Sequence, residues 1–135
     1  MDSGKKTINH VEIEIRKILP VQDGYRMPGE YEPHRGCILI WPERPGSWRN
    51  GAREAKKAFA DVIRAIAKSE EVYLAASGKT FSEAEKLAQR LQTDEALYPI
   101  RVFEAETDDA WARDVGPTFV TLSLIHISEP TRLDV

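Results

Sequence analysis

A chain of 135 residues, 41% hydrophobic and 30% charged, holds enough apolar side chains for one folded domain with a modest core, and too many for a disordered segment. Its net charge of −3 gives no electrostatic reason to bind nucleic acid or an anionic membrane surface. Cys37 is the single cysteine, so no intrachain disulfide forms, which suits a reducing compartment. No apolar run reaches membrane-spanning length, and Met1 to His10 lacks the apolar centre of a signal peptide, so the cytoplasm is the expected location.

Val11 to Ile15 alternates apolar with acidic residues, the period of a strand, although Ile18 and Leu19 could continue a short helix; Pro20 closes the segment. Gln22 to Pro33 reads as a loop, with Pro28-Gly29 supplying the pair that a type II turn requires. Glu30 and Glu32 flank Tyr31 there, and a solvated loop is the simpler reading than a cation site. His34 has no partner at metal-ligand spacing in the sequence, and reads as a satisfied polar group.

Gly36 to Trp41 is a continuous apolar run of strand length, expected to be buried on both faces. Cys37 falls within it and reads as a buried structural thiol, not a nucleophile. Pro42 to Arg49 must be a loop. Ala52 to Lys68 is a predicted helix whose apolar stripe is Ala55, Phe59, Val62 and Ile66, with Ala58 and Ile63 alongside. Val72 to Ala76 is the next strand. Thr80-Phe81-Ser82-Glu83 fits a capping box, and the helix it opens runs to about Leu91, burying Ala84, Leu87, Ala88 and Leu91. Ile100 to Phe103 is a strand, and Thr118 to Val120 a further one. Strands alternating with helices argue an α/β fold.

Between those last two strands lies Asp108-Asp109-Ala110-Trp111-Ala112-Arg113-Asp114-Val115-Gly116-Pro117. Loops at strand ends are where binding and catalysis concentrate. Carboxylates beside an indole suit a planar cation: a guanidinium forks onto a carboxylate, and an aromatic face attracts positive charge. The same stretch also makes an ordinary turn in which Arg113 pairs with a neighbouring acid, and the chemistry alone leaves both readings open.

Three motifs together carry more. Gly24-Tyr25-Arg26-Met27-Pro28-Gly29-Glu30-Tyr31-Glu32-Pro33-His34 is the first. Trp41-Pro42-Glu43-Arg44-Pro45 with Trp48-Arg49 is the second, and Asp109-Ala110-Trp111-Ala112-Arg113-Asp114-Val115-Gly116-Pro117-Thr118-Phe119 the third. From about Gln22 to Val120 the chain closely resembles agmatine deiminases, guanidine-modifying enzymes of the pentein fold grouped with bacterial-type peptidyl-arginine deiminases. The resemblance implies a propeller of five ββαβ-like modules, of which this chain would supply one incomplete blade. It implies hydrolysis of agmatine to N-carbamoylputrescine and ammonia through a Cys thiouronium intermediate, with His as general acid and base, and with no metal or organic cofactor. The parent enzyme is expected to be a homo-oligomer acting on a small guanidine substrate. Asp114 matches a guanidinium-binding carboxylate, Trp111 a residue lining the substrate channel, and Asp109 a turn-shaping residue with a secondary substrate role.

The chain departs from the family in lacking counterparts to its catalytic His and nucleophilic Cys. Cys37 lies in the wrong strand, and His126 lies in a tail that no longer resembles the family. From about Leu122 that tail, Leu-Ser-Leu-Ile-His-Ile-Ser-Glu-Pro-Thr-Arg, looks like a translated sequencing adapter. The expected organisation is therefore a variable extension over 1–21, a truncated first module over 22–121 and an artefactual tail over 122–135. Alone, the chain is expected to be inactive and to leave apolar surface exposed. Fragments of an arginine or peptidyl-arginine deiminase, or a non-catalytic module binding guanidinium compounds or a protein, are the alternatives.

Overall fold

The structure, a computed structural model, describes residues 5–8, 11–14, 19–94 and 96–122. In chain order the elements are β1 (Lys5–Ile8), β2 (Val11–Glu14), β3 (Tyr25–Arg26), β4 (Gly36–Ile40), α1 (Arg53–Ile66), β5 (Glu71–Ala76), α2 (Phe81–Asp94), β6 (Ile100–Glu104), the short α3 (Ala112–Val115) and β7 (Thr121–Leu122). The fold is mixed α/β. Packing divides the chain into residues 33–117 and a second unit, 1–32 with 118–135.

Within residues 33–117, β4, β5 and β6 form a parallel sheet with β5 in the centre. The register places Cys37 and Leu39 beside Val72 and Leu74, and those beside Ile100 and Val102. This face is the one the helices cover. Ile63 and Ala67 from the α1 side and Ala84 and Leu91 from α2 meet Val72, Leu74 and Ala76 in one buried cluster. Both strand–helix–strand crossovers return to the same face, as right-handed connections across adjacent strands require. Ile38, Tyr73 and Phe103 lie on the other face, where Phe103 is exposed.

Three readings of this unit need correction. Gly36 to Trp41 is not buried on both faces: β4 is an edge strand of its sheet, and within it only Ile40 is fully buried. The α1 stripe is rotated, because Ala60, Ile63 and Ala67 are buried while Val62 and Ala58 are exposed. The turn that starts the helix explains the rotation. Ala52, at positive φ and 1% exposed, is inserted into the core, and Ala60, Ile63 and Ala67 follow it at helical spacing. The capping box at Thr80 is replaced by tertiary bonds. Its hydroxyl donates to Glu43 (2.9 Å), while Glu83 accepts from Lys56 Nζ (2.7 Å).

In the other unit, β1 and β2 pair antiparallel from Lys5 with Glu14 to Ile8 with Val11; Ile15 lies outside the described residues. β3 and β7 pair antiparallel, Tyr25 with Leu122 and Arg26 with Thr121. The last strand is thus Thr121–Leu122, not Thr118 to Val120, because the partners it meets are Tyr25 and Arg26. Of the expected tail, Leu122 belongs to β7 and 123–135, with His126, lies outside the described residues.

Pro28-Gly29 makes no type II turn. Positive φ falls at Gly24 (83°) and not at Gly29, whose amide donates to the Glu32 carboxylate (2.8 Å). Glu32 also receives both terminal nitrogens of Arg26, at 2.8 and 2.7 Å. This fork, with the Gly29 amide, holds the Glu32 carboxyl down at about 2. The cation held by this loop is the chain's own arginine.

Candidate functional site

Parallel strands deliver their following loops to one edge, and ligands of open α/β sheets bind outside the carboxyl ends of the strands. At that edge three loops meet: Trp41 to Trp48 after β4, Ser77 to Thr80 after β5, and Ala105 to Trp111 after β6. Acidic side chains fasten them together. Glu43 accepts hydrogen bonds from the Ser77 hydroxyl (2.7 Å) and the Thr80 hydroxyl (2.9 Å), joining the first loop to the second. Glu106 accepts from the Gly78 amide (3.4 Å), joining the third to the second.

Asp109 joins the third loop to the first. Its carboxylate accepts hydrogen bonds from the Ser47 hydroxyl, the Trp48 indole N–H (3.2 Å), the Trp111 indole N–H (3.2 Å) and the Ala110 amide (2.8 Å). Arg44 Nη1 stands 3.9 Å away, and the Asp109 side chain is only 10% exposed. The Ser47 hydroxyl first, then the Ala110 amide and the two indoles, hold this carboxyl below the ordinary aspartate range, against the opposing effect of burial. With so many donors committed to it, Asp109 is a fastener of the loop.

The two indoles that share Asp109 also stack, Trp48 on Trp111 with centroids 6.5 Å apart and planes 28° from parallel. Trp48 meets the edge of Phe59 on α1, and Phe59 meets the edge of Trp41, each at 6.4 Å. An aromatic run therefore ties the loop bearing Trp111 to the buried core. Trp111 itself is exposed, leaving indole surface to a ligand. Trp48, Ser47 and Glu43 were not assigned roles from the sequence. Their side-chain hydrogen-bond partners lie at least 34 residues away in the chain, beyond the reach of any local pattern.

The clamp implies a testable sign. A carboxylate with a depressed pKa contributes its stabilisation fully above the unfolded value near ~3.9 and loses it as pH falls through the lower folded value. The near-ultraviolet circular dichroism of the Trp48–Trp111 stack should therefore persist to pH values below ~3.9 and vanish only on further acidification. In Asp109→Asn it should already be altered at neutral pH. An unchanged stack signal in that variant would show that Asp109 does not hold the loop.

Asp114 lies one turn beyond Trp111, in α3. The turn is closed by the Asp114 amide donating to the Trp111 carbonyl (3.0 Å) and the Gly116 amide donating to the Ala112 carbonyl (2.9 Å). Only glycine fits at 116, since a Cβ there would stand 2.4 Å from the Ala112 carbonyl oxygen. The Asp114 side chain is exposed and has no hydrogen-bond or ion-pair partner among the described residues. The loop thus presents the uncommitted carboxylate of Asp114 a helical turn beyond an exposed indole, with the exposed Asp108 before it likewise unpartnered among the described residues. Cys37, at the start of β4, sits at the opposite edge of the sheet, and so is not positioned to attack a ligand held by Asp114.

No helix among the described residues is long and apolar enough to cross a membrane.

The family model for Porphyromonas-type peptidyl-arginine deiminases matches residues 26–132. The agmatine deiminase of Pseudomonas aeruginosa (strain LESB58) is 48% identical over 101 residues, covering 75% of this chain and 26% of the relative. That of Stutzerimonas stutzeri (strain A1501) is also 48% identical over 101 residues, with the same coverage. A solved structure of the Enterococcus faecalis agmatine deiminase superposes with a TM-score of 0.64 at 39% identity, over 75% of this chain and 26% of that one. The chain spans about a quarter of the length of the curated relatives it matches. With a family model matched over most of its residues, the chain belongs to the Porphyromonas-type peptidyl-arginine deiminase family.

Proposed function

We propose that this chain is part of an agmatine deiminase and supplies one of the carboxylates that hold the substrate's guanidinium group. The uncommitted carboxylate of Asp114, on a turn fastened through Asp109 and the Trp48–Trp111 stack, carries the reading. A guanidinium presents paired N–H donors that one carboxylate accepts as a fork, and the exposed Trp111 face can pack on the aliphatic arm or attract the cation. Asp109 contributes by position, with a direct substrate contact as a secondary role.

The reaction is hydrolysis of agmatine to N-carbamoylputrescine and ammonia. A Cys thiolate attacks the guanidinium carbon and ammonia leaves. Water then releases the carbamoyl product from the thiouronium intermediate, with a His moving the protons. It needs no cofactor, and its product feeds putrescine synthesis in the cytoplasm. The nucleophile and the general acid and base are not among these 135 residues, so the 135 residues alone turn nothing over. The supporting fold is an incomplete ββαβ-like blade of a five-bladed pentein propeller, and the complete enzyme is a homo-oligomer.

The test is product analysis on the complete enzyme. Agmatine should yield N-carbamoylputrescine and ammonia in equal amounts, with free arginine and peptides ending in arginine as competitors. A preference for the peptides would favour the second reading, deimination of peptidyl-arginine, which the name of the matching family model supports. No turnover of any guanidine compound would overturn both. Agmatine binding by the 135 residues without turnover elsewhere would mark a binding module instead.

A further inference from the structure

At the sheet edge opposite the Asp109 fastener, three side chains of different chemistry converge. His34 precedes β4, Cys37 is its second residue, and Glu70 is the last residue before β5. One donor atom of each lies within 4.8 Å of the other two. Parallel pairing accounts for the meeting, because Gly36 aligns with Glu71 and Cys37 with Val72. Sequence spacing concealed it: His34 looked solitary only because its partner at 70 is a helix away.

His34 Nδ1 stands in ion-pair contact, 2.6 Å from the wholly buried Glu70 Oε2, without meeting hydrogen-bond geometry. An imidazole nitrogen, a carboxylate oxygen and a thiol sulfur, each a potential metal ligand, thus share one small volume. Burial and then the Glu70 charge push the Cys37 thiol up. A bound cation reverses that local charge balance.

We propose that His34 Nδ1, Cys37 Sγ and a Glu70 carboxylate oxygen form a site for a zinc-type divalent cation, with a fourth position open to water. The donor set of one nitrogen, one sulfur and one oxygen selects a borderline-soft metal over magnesium or calcium, which take oxygen ligands. Bond lengths of about 2.0–2.3 Å place tetrahedral donors roughly 3.3–3.7 Å apart, so the close His34–Glu70 contact opens by about 1 Å around the ion. The half-exposed His34 ring provides the way in. On binding, Cys37 forms its bond to the metal as a thiolate and releases its proton to solvent. The site would pin the segment before β4 to the turn between α1 and β5. It is independent of the deiminase reading.

Cobalt(II) titrated into the 135-residue chain tests this. One equivalent should produce the thiolate-to-cobalt charge-transfer band and the visible bands of tetrahedral cobalt, and zinc should displace both. Absorption spectroscopy at the zinc edge should show one sulfur with nitrogen and oxygen neighbours. His34→Gln and Glu70→Gln, checked for fold by far-ultraviolet circular dichroism, should each weaken binding by about tenfold or more. No charge-transfer band at equimolar cobalt overturns the proposal, as does a shell with no sulfur or with two. Wild-type affinity in the folded His34→Gln and Glu70→Gln variants overturns it too, because Cys37 would then bind metal with other groups. Should either variant fail to fold, the wild-type zinc shell decides: imidazole and carboxylate beside one sulfur uphold the site, and any other shell refutes it.

Discussion

Asp114→Asn in the complete deiminase should lower kcat/KM by on the order of 100-fold or more while leaving the fold unchanged. The substitution is isosteric, so the α3 turn keeps its backbone bonds to Trp111 and Ala112. The change is electrical and directional. An amide carries no charge, offers one acceptor oxygen instead of two, and turns N–H donors towards a guanidinium that has only donors to give. The guanidinium carbon would then be presented to the thiolate in many orientations, which lowers kcat as well as raising KM. Because Asp114 is exposed and has no partner among the described residues, a structural explanation for lost activity is weak. Far-ultraviolet circular dichroism would check that directly. Near-normal turnover in this variant would remove Asp114 from the mechanism.

The second large effect concerns stability. Leu74 is fully buried at the centre of the central strand, between the residues contributed by both helices. Leu74→Ala should cost about 2–5 kcal/mol, the lost transfer energy plus the cavity left behind. In a unit of this size that corresponds to a fall in unfolding midpoint of roughly 10–30 °C. Val62→Ala removes two methyl groups from the same neighbourhood of sequence pattern, but Val62 is 46% exposed. Its cost should stay within about 0.5 kcal/mol. Thermal unfolding of the two variants side by side separates the observed α1 face from the one the sequence suggested. Comparable losses in both would show that α1 turns Val62 towards the core.

The elements themselves were legible wherever a pattern is local. The strand over 72–76, the helix burying Ala84, Ala88 and Leu91, and the strand from Ile100 all stand where the apolar period put them. What depends on partners was not legible. The α1 face was misjudged at Val62 because two apolar stripes run down that helix, and only the placement of Ala52 chooses between them. The capping box failed because Glu43 and Lys56 offer Thr80 and Glu83 tertiary partners that no four-residue motif reveals. At the site, Asp114 and Trp111 could be named from the motif that contains them. The clamp that gives them a fixed setting could not, since α1, β5, α2 and β6 all intervene in the chain between Trp48 and Asp109. The same holds for His34 and Glu70.

The central place of β5 has a kinetic consequence. Gly36 pairs with Glu71 and Val72 with Ile100, so each ladder closes only after an entire helix has been looped back. Loop-closure entropy is therefore spent before either ladder returns any hydrogen bond. β4 and β6 never pair with each other, and both depend on the same six-residue strand. Two routes of assembly are open, one beginning with α1 and β4 and the other with α2 and β6, and they share a single template. Slowing one edge leaves the other route running, whereas a defect in β5 delays both.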